Sequence, residues 1–379
     1  MSTRILISAG ESSGDRYAAR LGEAIRARLG DVDLFGCAGE QMKAAGIRPV
    51  VEMASLAVVG IVEVIHHIPR IYGEYRKLLA EAERLKPAAA ILTDSPDFHL
   101  RVARRLARMN IPVFYLVAPQ AWAWREGRVK QLRRNVKELY CIFPFEEKFF
   151  SERGVRATYI GHPLSQLVRP ASSRKDFFAK HGIPEDRPLI TICPGSRPSE
   201  AGRHLQPLAQ AVARIRASRD CTIAVAGPED TARRFGADFF KPFLESTGAT
   251  LITGETWDAM AHADLTLPAS GTVTIEAALL GAPMVTYYKV TKATWLVGRP
   301  LVSVPFFSMV NLVAGEQVVP ELIQDEMTGE RIAAESLRLL NDPRARQKML
   351  DGLARVSAAL STGHDPIEHA ADRIVASIR

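Results

Sequence analysis

The sequence has few cysteines, and their spacing does not match a structural pattern. Of 379 residues only four are cysteine, at positions 37, 141, 193 and 221. They lie far apart and mostly inside apolar runs, so we expect neither a disulfide framework nor a zinc cluster. We interpret them as buried thiols, because free cysteine behaves as a small hydrophobic residue.

Long apolar segments are also missing. No window reaches the roughly 20 uncharged apolar residues that a membrane-spanning helix needs. The nearest case, residues 295–315, carries one charge and contains Pro300 and Pro305, which interrupt helices. Composition does not decide whether this segment and residues 56–65 are core or a surface for membrane or acyl chains. The N-terminus lacks the features of a signal peptide, so we expect a cytoplasmic protein.

Acidic residues are fewer than basic ones. There are 42 Asp and Glu against 49 Lys and Arg, a formal charge of +7 and a pI near 9.3. This balance favours anionic partners, namely phosphates, nucleic acid or an acidic lipid surface. A basic run at 125–134 follows Trp122 and Trp124, and aromatic residues beside basic ones keep nucleic acid in consideration. A solvated helix face is an equally good interpretation, and lipid headgroups or phosphates match the run better than nucleic acid does.

Short β-branched runs alternate with helical periodicity in two successive cycles. Predicted strands cover 4–8, 89–92, 113–117 and 139–143, then 187–193, 222–226, 250–252, 265–267 and 283–287. Predicted helices cover 15–29, 72–85, 100–109, 337–353 and 367–378. This order is typical of βαβ units, so we predict an α/β protein with two Rossmann-like doubly wound domains facing a cleft.

We predict domain limits from the polar stretch that separates the two cycles. Residues 1–170 form an N-terminal domain, and residues 171–345 a C-terminal one. Residues 346–379 carry helices that either complete the second domain or cross back to pack on the first.

The first predicted strand runs into the segment AGESSGD and then a helix. Its small residues let backbone N–H groups and the positive helix end reach an anion or a sugar. The segment departs from G-x-G-x-x-G, and Glu11 would repel a pyrophosphate, so Glu11 and Asp15 suit sugar hydroxyls better. The plain alternative is a strand-to-helix turn in which Asp15 caps the helix.

Two carboxylates, Asp94 and Asp97, follow the apolar strand at 89–92. Open α/β sheets bind ligands at this edge, so a carboxylate there can act as a general base on a sugar hydroxyl. Asp94 is nearer the strand end and is the first candidate. The alternative is that Asp97 caps the next helix and Asp94 orders the loop.

Two turns of the second domain are candidates for phosphate binding. In the segment CPGSR, a Gly-Ser turn and the guanidinium of Arg197 can clamp a diphosphate. In the segment ASGTVTIEA, a small-residue turn opens a helix and offers N–H groups to phosphate, while Glu276 can bind ribose hydroxyls. A capping box is the competing interpretation of the second segment.

The motifs together, in chain order, resemble the lipid-A-disaccharide synthase family along most of the chain. They are AGESSGD, VVGIVEV, DSPDF, PQAWAWREGRV, FPFE, GHPL, PGSR, SGTVTIEA and NLVAGEQVVPELIQ. The resemblance implies an inverting GT-B glycosyltransferase of lipid A biosynthesis that needs neither metal nor cofactor. Its substrates would be UDP-2,3-diacylglucosamine and 2,3-diacylglucosamine 1-phosphate, and its products the β-1,6-linked disaccharide 1-phosphate and UDP.

The resemblance also assigns roles and partners. Asp94 becomes the catalytic base; the substrate site takes Glu11, Ser12, Ser13, Asp15, Asp97 and Trp122; and the UDP site takes Ser196, Arg197, Ser270, Gly271, Thr272, Glu276, Asn311 and Gln317. The protein would associate peripherally with the anionic inner membrane and bind no nucleic acid, and a homo-oligomer is compatible with the sequence. The last motif departs from the family pattern SLPN, because Met309 and Val310 precede Asn311, and Glu316 replaces an expected basic residue.

Other classes remain open at this point. Another nucleotide-sugar enzyme, such as a UDP-N-acetylglucosamine 2-epimerase or a lipid-linked N-acetylglucosaminyltransferase, has the same predicted domain plan. The apolar segments argue against a soluble epimerase. A non-catalytic protein of the membrane surface is the third alternative, against which Asp94 and Arg197 both argue.

Overall fold

The computed structural model describes residues 2–56, 61–123, 126–299, 302 and 304–378, without the side chains of 61–67 and 297. The chain divides into two compact units. One comprises Met1–Pro163 with Leu360–Arg379, and the other comprises Leu164–Ala359. The predicted limits at 170/171 and 345/346 stay predictions.

The first unit is built on a sheet of seven parallel strands. They are β1 (Thr3–Ala9), β2 (Val32–Ala38), β3 (Arg48–Glu52), β4 (Ala89–Thr93), β5 (Val113–Leu116), β6 (Glu138–Cys141) and β7 (Ala157–Tyr159), in the order β3-β2-β1-β4-β5-β6-β7. Every residue of β4, β5 and β6 is buried, as in a parallel sheet covered on both faces. The strand order reverses between β1 and β4, which defines a topological switch point.

The second unit has the same plan on a smaller scale. Its strands are β8 (Leu189–Cys193), β9 (Thr222–Gly227), β10 (Thr250–Thr253) and β11 (Leu265–Pro268), in the order β10-β9-β8-β11, followed by the parallel pair β12 (Thr286–Tyr288) and β13 (Glu321–Ile323). Isolated bridges join Thr266 to Met284 and Ala269 to Tyr287, so β12 continues the sheet beside β11. Here the order reverses between β8 and β11.

Helices form most of the connections between strands. They are α1 (Ser12–Leu29), α2 (Glu40–Ala44), α3 (Ile61–Leu85), α4 (Pro96–Arg108), α5 (Gly127–Asn135), α6 (Pro144–Ser151), α7 (Arg174–His181), α8 (Pro198–Ser218), α9 (Thr231–Phe235), α10 (Lys241–Thr247), α11 (Thr256–Ala261), α12 (Thr272–Leu279), α13 (Lys292–Gly298), α14 (Met309–Ala314), α15 (Gly329–Asn341), α16 (Pro343–Leu360) and α17 (Pro366–Ile378). The α/β class and both Rossmann-like sheets agree with the prediction.

The last helix returns to the first unit and packs on α1. Arg28 of α1 forms ion pairs with Glu368 and Asp372 of α17, each at 2.7 Å. The backbone N–H of His162 donates to the carbonyl oxygen of Leu360 at 2.9 Å, where the chain re-enters this unit. Of the two predicted placements for this helix, crossing back is therefore the one observed.

The predicted helix 337–353 is wrong in its bounds, because it runs across two helices. The carboxylate of Asp342 accepts the backbone N–H groups of Arg344 (2.9 Å) and Ala345 (3.1 Å). Pro343 then opens α16, a position where its missing N–H costs nothing. The prediction also missed β2, β3, β7 and β13.

The described part of the chain contains no helix that is both long and apolar enough to cross a membrane. Residues 295–315 are divided between α13 and α14, and positions 300, 301 and 303 fall outside the described residues. In the apolar segment 56–65, residues 57–60 lie outside the described residues, and only the backbone of 61–65 is described. All four cysteines are free and buried, which confirms their interpretation as core thiols.

Candidate functional site

The switch point of the first unit brings two of the predicted loops side by side. Strands β1 and β4 are adjacent and parallel, with Ala9 opposite Thr93. The segment that begins at Gly10 and the one that begins at Asp94 therefore leave the sheet together. Ligands of open α/β sheets bind at such an edge.

The carboxylate of Asp94 lies against the segment before α1. Its Oδ1 accepts the backbone N–H of Gly10 at 2.8 Å, and its Oδ2 accepts that of Glu11 at 3.2 Å. Burial and, next, the nearby carboxylate of Glu11 raise the pKa of Asp94 to about 8, against these two hydrogen bonds. A carboxylate that titrates near neutral pH is suited to take a proton from a hydroxyl group.

Two glycines make room for this carboxylate. A Cβ placed on Gly14 would lie 1.6 Å from Oδ2 of Asp94, and one on Gly10 would lie 2.2 Å from Oγ of Ser95. Both distances are far below contact, so the glycines of AGESSGD are needed for the close approach of the DSPDF loop. Glu11, Ser12 and Ser13 are exposed beside it, where a ligand can reach them.

Three further residues of this site have no signal in the motifs. The carbonyl oxygen of Asp94 accepts hydrogen bonds from the hydroxyl of Tyr115 (2.5 Å) and from Nδ1 of His99 (3.0 Å). Nε2 of His99 lies 2.8 Å from Oγ of Ser8. The sequence places Tyr115 and Ser8 inside apolar strands, so only the tertiary structure reveals that they converge on this loop.

Asp15 was expected in the sugar site, and the structure corrects this expectation. The side chain is buried, with 3% of its surface exposed. Its carboxylate accepts the backbone N–H groups of Gly39 (2.9 Å), Gln41 (2.9 Å) and Met42 (3.2 Å). Asp15 therefore satisfies the first turn of α2 and does not face a ligand. It also does not cap its own helix, which was the competing prediction.

Asp97 is exposed in the first turn of α4 and binds Arg128. The distance from its Oδ1 to the guanidinium is 2.8 Å, and the arginine side chain is almost fully buried. Asp97 is not the N-cap, because that position belongs to Ser95. A cavity of about 400 Å³ beside this pair is lined by Pro96, Asp97, Leu100, Arg101, Gly127, Arg128 and Gln131. Asp97 remains accessible to a ligand at that cavity.

Trp122 anchors its loop to the FPFE segment. Its indole N–H donates to Oε1 of Glu146 at 3.0 Å, and Oε2 of the same carboxylate accepts the N–H groups of Ile142 and Phe143, each at 3.2 Å. Burial raises the pKa of Glu146 to about 7. The polar atom of Trp122 is thus used internally, so only its ring is left for the predicted substrate contact. Trp124 and Arg125 lie outside the described residues.

The second switch point brings the two predicted phosphate loops together. Strands β8 and β11 are adjacent and parallel, with Cys193 opposite Pro268, so the segments that follow them leave the sheet side by side. Ser196 and Arg197 are exposed before α8, and the N–H of Ser196 donates to Oε2 of Glu200 at 3.2 Å. Gly195 has a φ of 123°, which favours glycine at this turn.

The loop after β11 is open at the start of α12. The N–H of Ser270 donates to the carbonyl oxygen of Tyr287 at 2.8 Å. The hydroxyl of Ser270 donates to the carbonyl oxygen of Phe307 at 3.2 Å. Gly271 and Thr272 are exposed, and no described atom lies within 4 Å of a Cβ built on Gly271. Glu276 is half-buried one turn further along α12. This arrangement fits the predicted contacts to phosphate and ribose.

Asn311 was expected to contact UDP, and its surroundings argue against a direct contact. It has no exposed surface. Its Nδ2 donates to the carbonyl oxygen of Val319 (2.9 Å) and to Glu321 (2.7 Å), and its Oδ1 accepts the N–H groups of Val318 (2.8 Å) and Val319 (2.9 Å). All four hydrogen-bonding positions of the amide are filled, so Asn311 holds the loop after α14 in place.

The same motif contains the loop residues Glu316 and Gln317, which are both exposed. Gln317 is exposed on the loop after α14, where a ligand can reach it. Glu316, which replaces the expected basic residue, forms an ion pair with Arg355 of α16 at 2.6 Å.

Within the described ranges, no group of three or more His, Cys, Asp or Glu side chains is arranged to hold a metal ion.

Solved structures with the same fold identify the class. UDP-GlcNAc 2-epimerase from Neisseria meningitidis, bound to UDP-GlcNAc, aligns with a TM-score of 0.63 at 12% identity, covering 100% of this chain and 99% of that one. A ugt transferase from Siraitia grosvenorii, in complex with UDP, aligns with a TM-score of 0.61 at 10% identity and full coverage of both chains. The protein therefore has the GT-B fold, the class defined by two Rossmann-like units.

Sequence comparison narrows this class to one family. Residues 5–375 match the family described as Lipid-A-disaccharide synthetase. The lipid-A-disaccharide synthase of Solibacter usitatus is 56% identical over 94% of this chain and 93% of its own length, and that of Koribacter versatilis is 41% identical over 99% and 97%. The chain belongs to the lipid-A-disaccharide synthase family and is a glycosyltransferase, which confirms the resemblance found in the sequence.

Proposed function

We propose that this protein transfers diacylglucosamine from UDP-2,3-diacylglucosamine to 2,3-diacylglucosamine 1-phosphate. The products are the β-1,6-linked disaccharide 1-phosphate and UDP. Membership of the family supports this reaction, and the position of Asp94 supports its mechanism. The switch point of the first unit presents a single partly buried carboxylate whose pKa is raised to about 8, next to exposed polar groups.

In this mechanism Asp94 acts on the acceptor. Its carboxylate takes the proton from the acceptor hydroxyl while the hydroxyl oxygen forms a bond to the anomeric carbon of the donor sugar. The bond from that carbon to the UDP oxygen breaks in the same displacement, so the configuration inverts and the electron pair leaves with UDP. The N–H groups of Gly10 and Glu11 hold the carboxylate in place for this step.

The second unit would bind the leaving group. Arg197 and the exposed N–H groups at the start of α12 are suited to the diphosphate, because a guanidinium and free helix-end N–H groups both favour anions. Glu276 would bind the ribose hydroxyls, with Ser196, Ser270, Gly271, Thr272 and Gln317 around the nucleotide. No metal takes part in this scheme, since the cationic side chain supplies the charge that the leaving diphosphate needs.

Acceptor-dependent release of UDP tests the reaction. The purified protein in detergent with a chelator is given UDP-2,3-diacylglucosamine, with and without 2,3-diacylglucosamine 1-phosphate, and UDP and the disaccharide are measured. We expect both products only when the acceptor is present. UDP release without acceptor, or activity only on non-acylated UDP-N-acetylglucosamine, would contradict the proposal; loss of activity with the chelator would contradict metal independence alone.

We also propose that the protein works at an anionic membrane surface. Its substrates carry acyl chains, its formal charge is +7, and large apolar side chains are exposed on α3 (Ile68, 53%; Tyr72, 58%) and on α13 (Leu296, 73%). Positive charge beside apolar side chains is the combination that binds acidic bilayers. A homo-oligomer stays a prediction.

Co-sedimentation with lipid vesicles tests the proposed membrane binding. We expect the protein to sediment with vesicles that contain anionic phospholipid and to be released by high salt. Tyr72→Glu should reduce the bound fraction, whereas Gln206→Glu, which adds the same charge on α8, should not. Equal binding of both variants would remove Tyr72 from the membrane contact.

A further inference from the structure

The peptide that follows β4 has an unusual backbone conformation. Asp94 has a φ of 54° and Ser95 a φ of 37°, so two consecutive residues with side chains occupy the left-handed region. Such residues persist only where the surrounding structure holds them, and they cluster at functional sites. Something in the fold must therefore keep this turn from relaxing.

Two buried side chains hold this turn by contacting one atom, the carbonyl oxygen of Asp94. Tyr115 Oη lies 2.5 Å from it and His99 Nδ1 lies 3.0 Å from it. A carbonyl oxygen only accepts hydrogen bonds and has two lone pairs, so both side chains donate and the oxygen is saturated. Tyr115 comes from the neighbouring strand β5 and His99 from α4, so the turn is fixed from two directions.

These contacts also determine which ring nitrogen of His99 carries the proton. Because Nδ1 carries the proton that His99 donates to the carbonyl, Nε2 is unprotonated and accepts a hydrogen bond from the Ser8 hydroxyl at 2.8 Å. Ser8, His99 and Tyr115 are each fully buried. Burial lowers the pKa of His99 to about 4 and raises that of Tyr115 well above its usual value, so both stay neutral donors through the neutral pH range.

We propose that Ser8, His99 and Tyr115 are positioning residues for the glycosyl transfer. They clamp the main chain of Asp94 in its left-handed conformation, and the clamped turn directs the Asp94 carboxylate onto the N–H groups of Gly10 and Glu11. The inference rests on the proposed role of Asp94 as the base. The three side chains act through the backbone of Asp94 and touch neither substrate.

The need to fill space in the core does not explain why these three buried side chains are polar. Burying a hydroxyl or an imidazole is unfavourable unless it is hydrogen-bonded, and apolar residues would fill the same space without that cost. The second unit uses the same residue types at its own switch point. His204 Nδ1 lies 2.7 Å from the carbonyl oxygen of Pro194, and Tyr287 donates to that of Cys193 at 3.2 Å, immediately before the PGSR turn.

Two substitutions of His99 separate its contact to Asp94 from its contact to Ser8. The side-chain amide nitrogen of Asn takes the place of Nδ1, so His99→Asn keeps a donor for Asp94 and loses the contact to Ser8. The amide of Gln reaches the place of Nε2, so His99→Gln keeps the contact to Ser8 and loses the donor for Asp94. Tyr115→Phe removes the other donor and leaves the ring.

Steady-state kinetics with both substrates give the readout. We expect Tyr115→Phe and His99→Gln to lower kcat by about tenfold or more, since small displacements of a catalytic group have large effects on rate. UDP affinity should change by less than about twofold, because the UDP site belongs to the second unit. His99→Asn should retain more activity than His99→Gln, and Ser8→Ala, which also keeps the donor for Asp94, should resemble His99→Asn.

The pH dependence adds a readout that a loss of packing would not move. If the turn relaxes, the Asp94 carboxylate becomes more exposed to solvent, and the acid limb of the rate profile should move to lower pH in Tyr115→Phe and His99→Gln.

Unchanged kcat and an unchanged limb in both variants, with Asp94→Asn inactive, would overturn the positioning role alone. An active Asp94→Asn would instead overturn the proposed base. Thermal unfolding of each variant identifies any that fails to fold, and the other His99 and Ser8 variants then decide.

Discussion

Asp94 illustrates how a single carboxylate is tuned by its neighbours. Burial and Glu11 raise its pKa to about 8, and only the deprotonated form can accept a proton. We therefore expect kcat/KM to rise with pH and to level off above about pH 8. Removing the like charge in Glu11→Gln should lower the pKa of Asp94 and move this limb to lower pH. A rate profile measured from pH 5 to pH 10 checks both; an acid limb at the same pH in the variant would show that Glu11 does not act on Asp94.

Gly14 shows what a missing side chain permits. Alanine normally stabilises a helix relative to glycine by up to about 1 kcal/mol. At Gly14 the added Cβ would meet Oδ2 of Asp94 at 1.6 Å, so Gly14→Ala should displace the carboxylate and greatly reduce turnover. Gly73→Ala on α3 is the matched control, because no described atom lies within 4 Å of a Cβ there. Turnover and thermal unfolding are measured for both; a fully active Gly14→Ala would contradict this geometry.

The sequence could indicate the positions of some candidate site residues but not those of others, for a physical reason. Asp94 directly follows β4, and Arg197 and Gly271 lie in the turns after β8 and β11, so the sequence alone could place all three near the ends of parallel strands. Their roles in the reaction stay predictions. Asp15 was misassigned because its partners are backbone N–H groups of a segment more than 20 residues away, which the pattern does not place nearby. The partners of Asn311 lie 7 to 10 residues further along its own motif, but the pattern does not show that the chain turns back onto its side chain. His99 and Tyr115 were missed since their partner is a carbonyl oxygen, which every residue carries.

At the scale of elements, the Asp15 carboxylate stabilises the start of α2. Its carboxylate satisfies three backbone N–H groups at the start of that helix. Asp15→Ala should lower the free energy of unfolding by about 2 kcal/mol, because buried donors lose their acceptor. Denaturant unfolding measures this loss. If Asp15 contacted the sugar instead, the variant would keep its stability and show a raised KM.

Element prediction succeeded for the fully buried central strands of the first unit and failed for its two edge strands. The strands β4, β5 and β6 are continuous apolar runs, which identify themselves in the sequence. The edge strand β3 has exposed residues at Arg48, Pro49 and Glu52, and β7 has only three half-buried residues, so neither has a strong pattern. The break at Asp342 was missed because the apolar periodicity continues on both sides of it.

At the scale of the molecule, the final helix contributes to the core of the first unit. Ile367, Ala370, Ala371, Ile374 and Val375 of α17 are buried. Deleting residues 361–379 should therefore expose their partners on α1 and lower the midpoint of thermal unfolding. Arg28→Ala removes the polar contacts of the guanidinium to α17 but none of the apolar contacts of that helix, so it should lower the midpoint less than the deletion does, since partly exposed ion pairs contribute at most about 1 kcal/mol each. Calorimetry of both variants checks this; an unchanged midpoint after deletion would mean that α17 is dispensable for the first unit.

The crossing of α17 also has a consequence for synthesis on the ribosome. Residues 164–359 emerge as one continuous stretch and can fold as soon as they leave the exit tunnel. The first unit begins to emerge earlier, yet its closing helix is translated last, after the whole of the second unit. Until α17 has been synthesised, the surface of α1 that it covers stays exposed. The unit whose synthesis begins first is therefore the unit that completes its fold last.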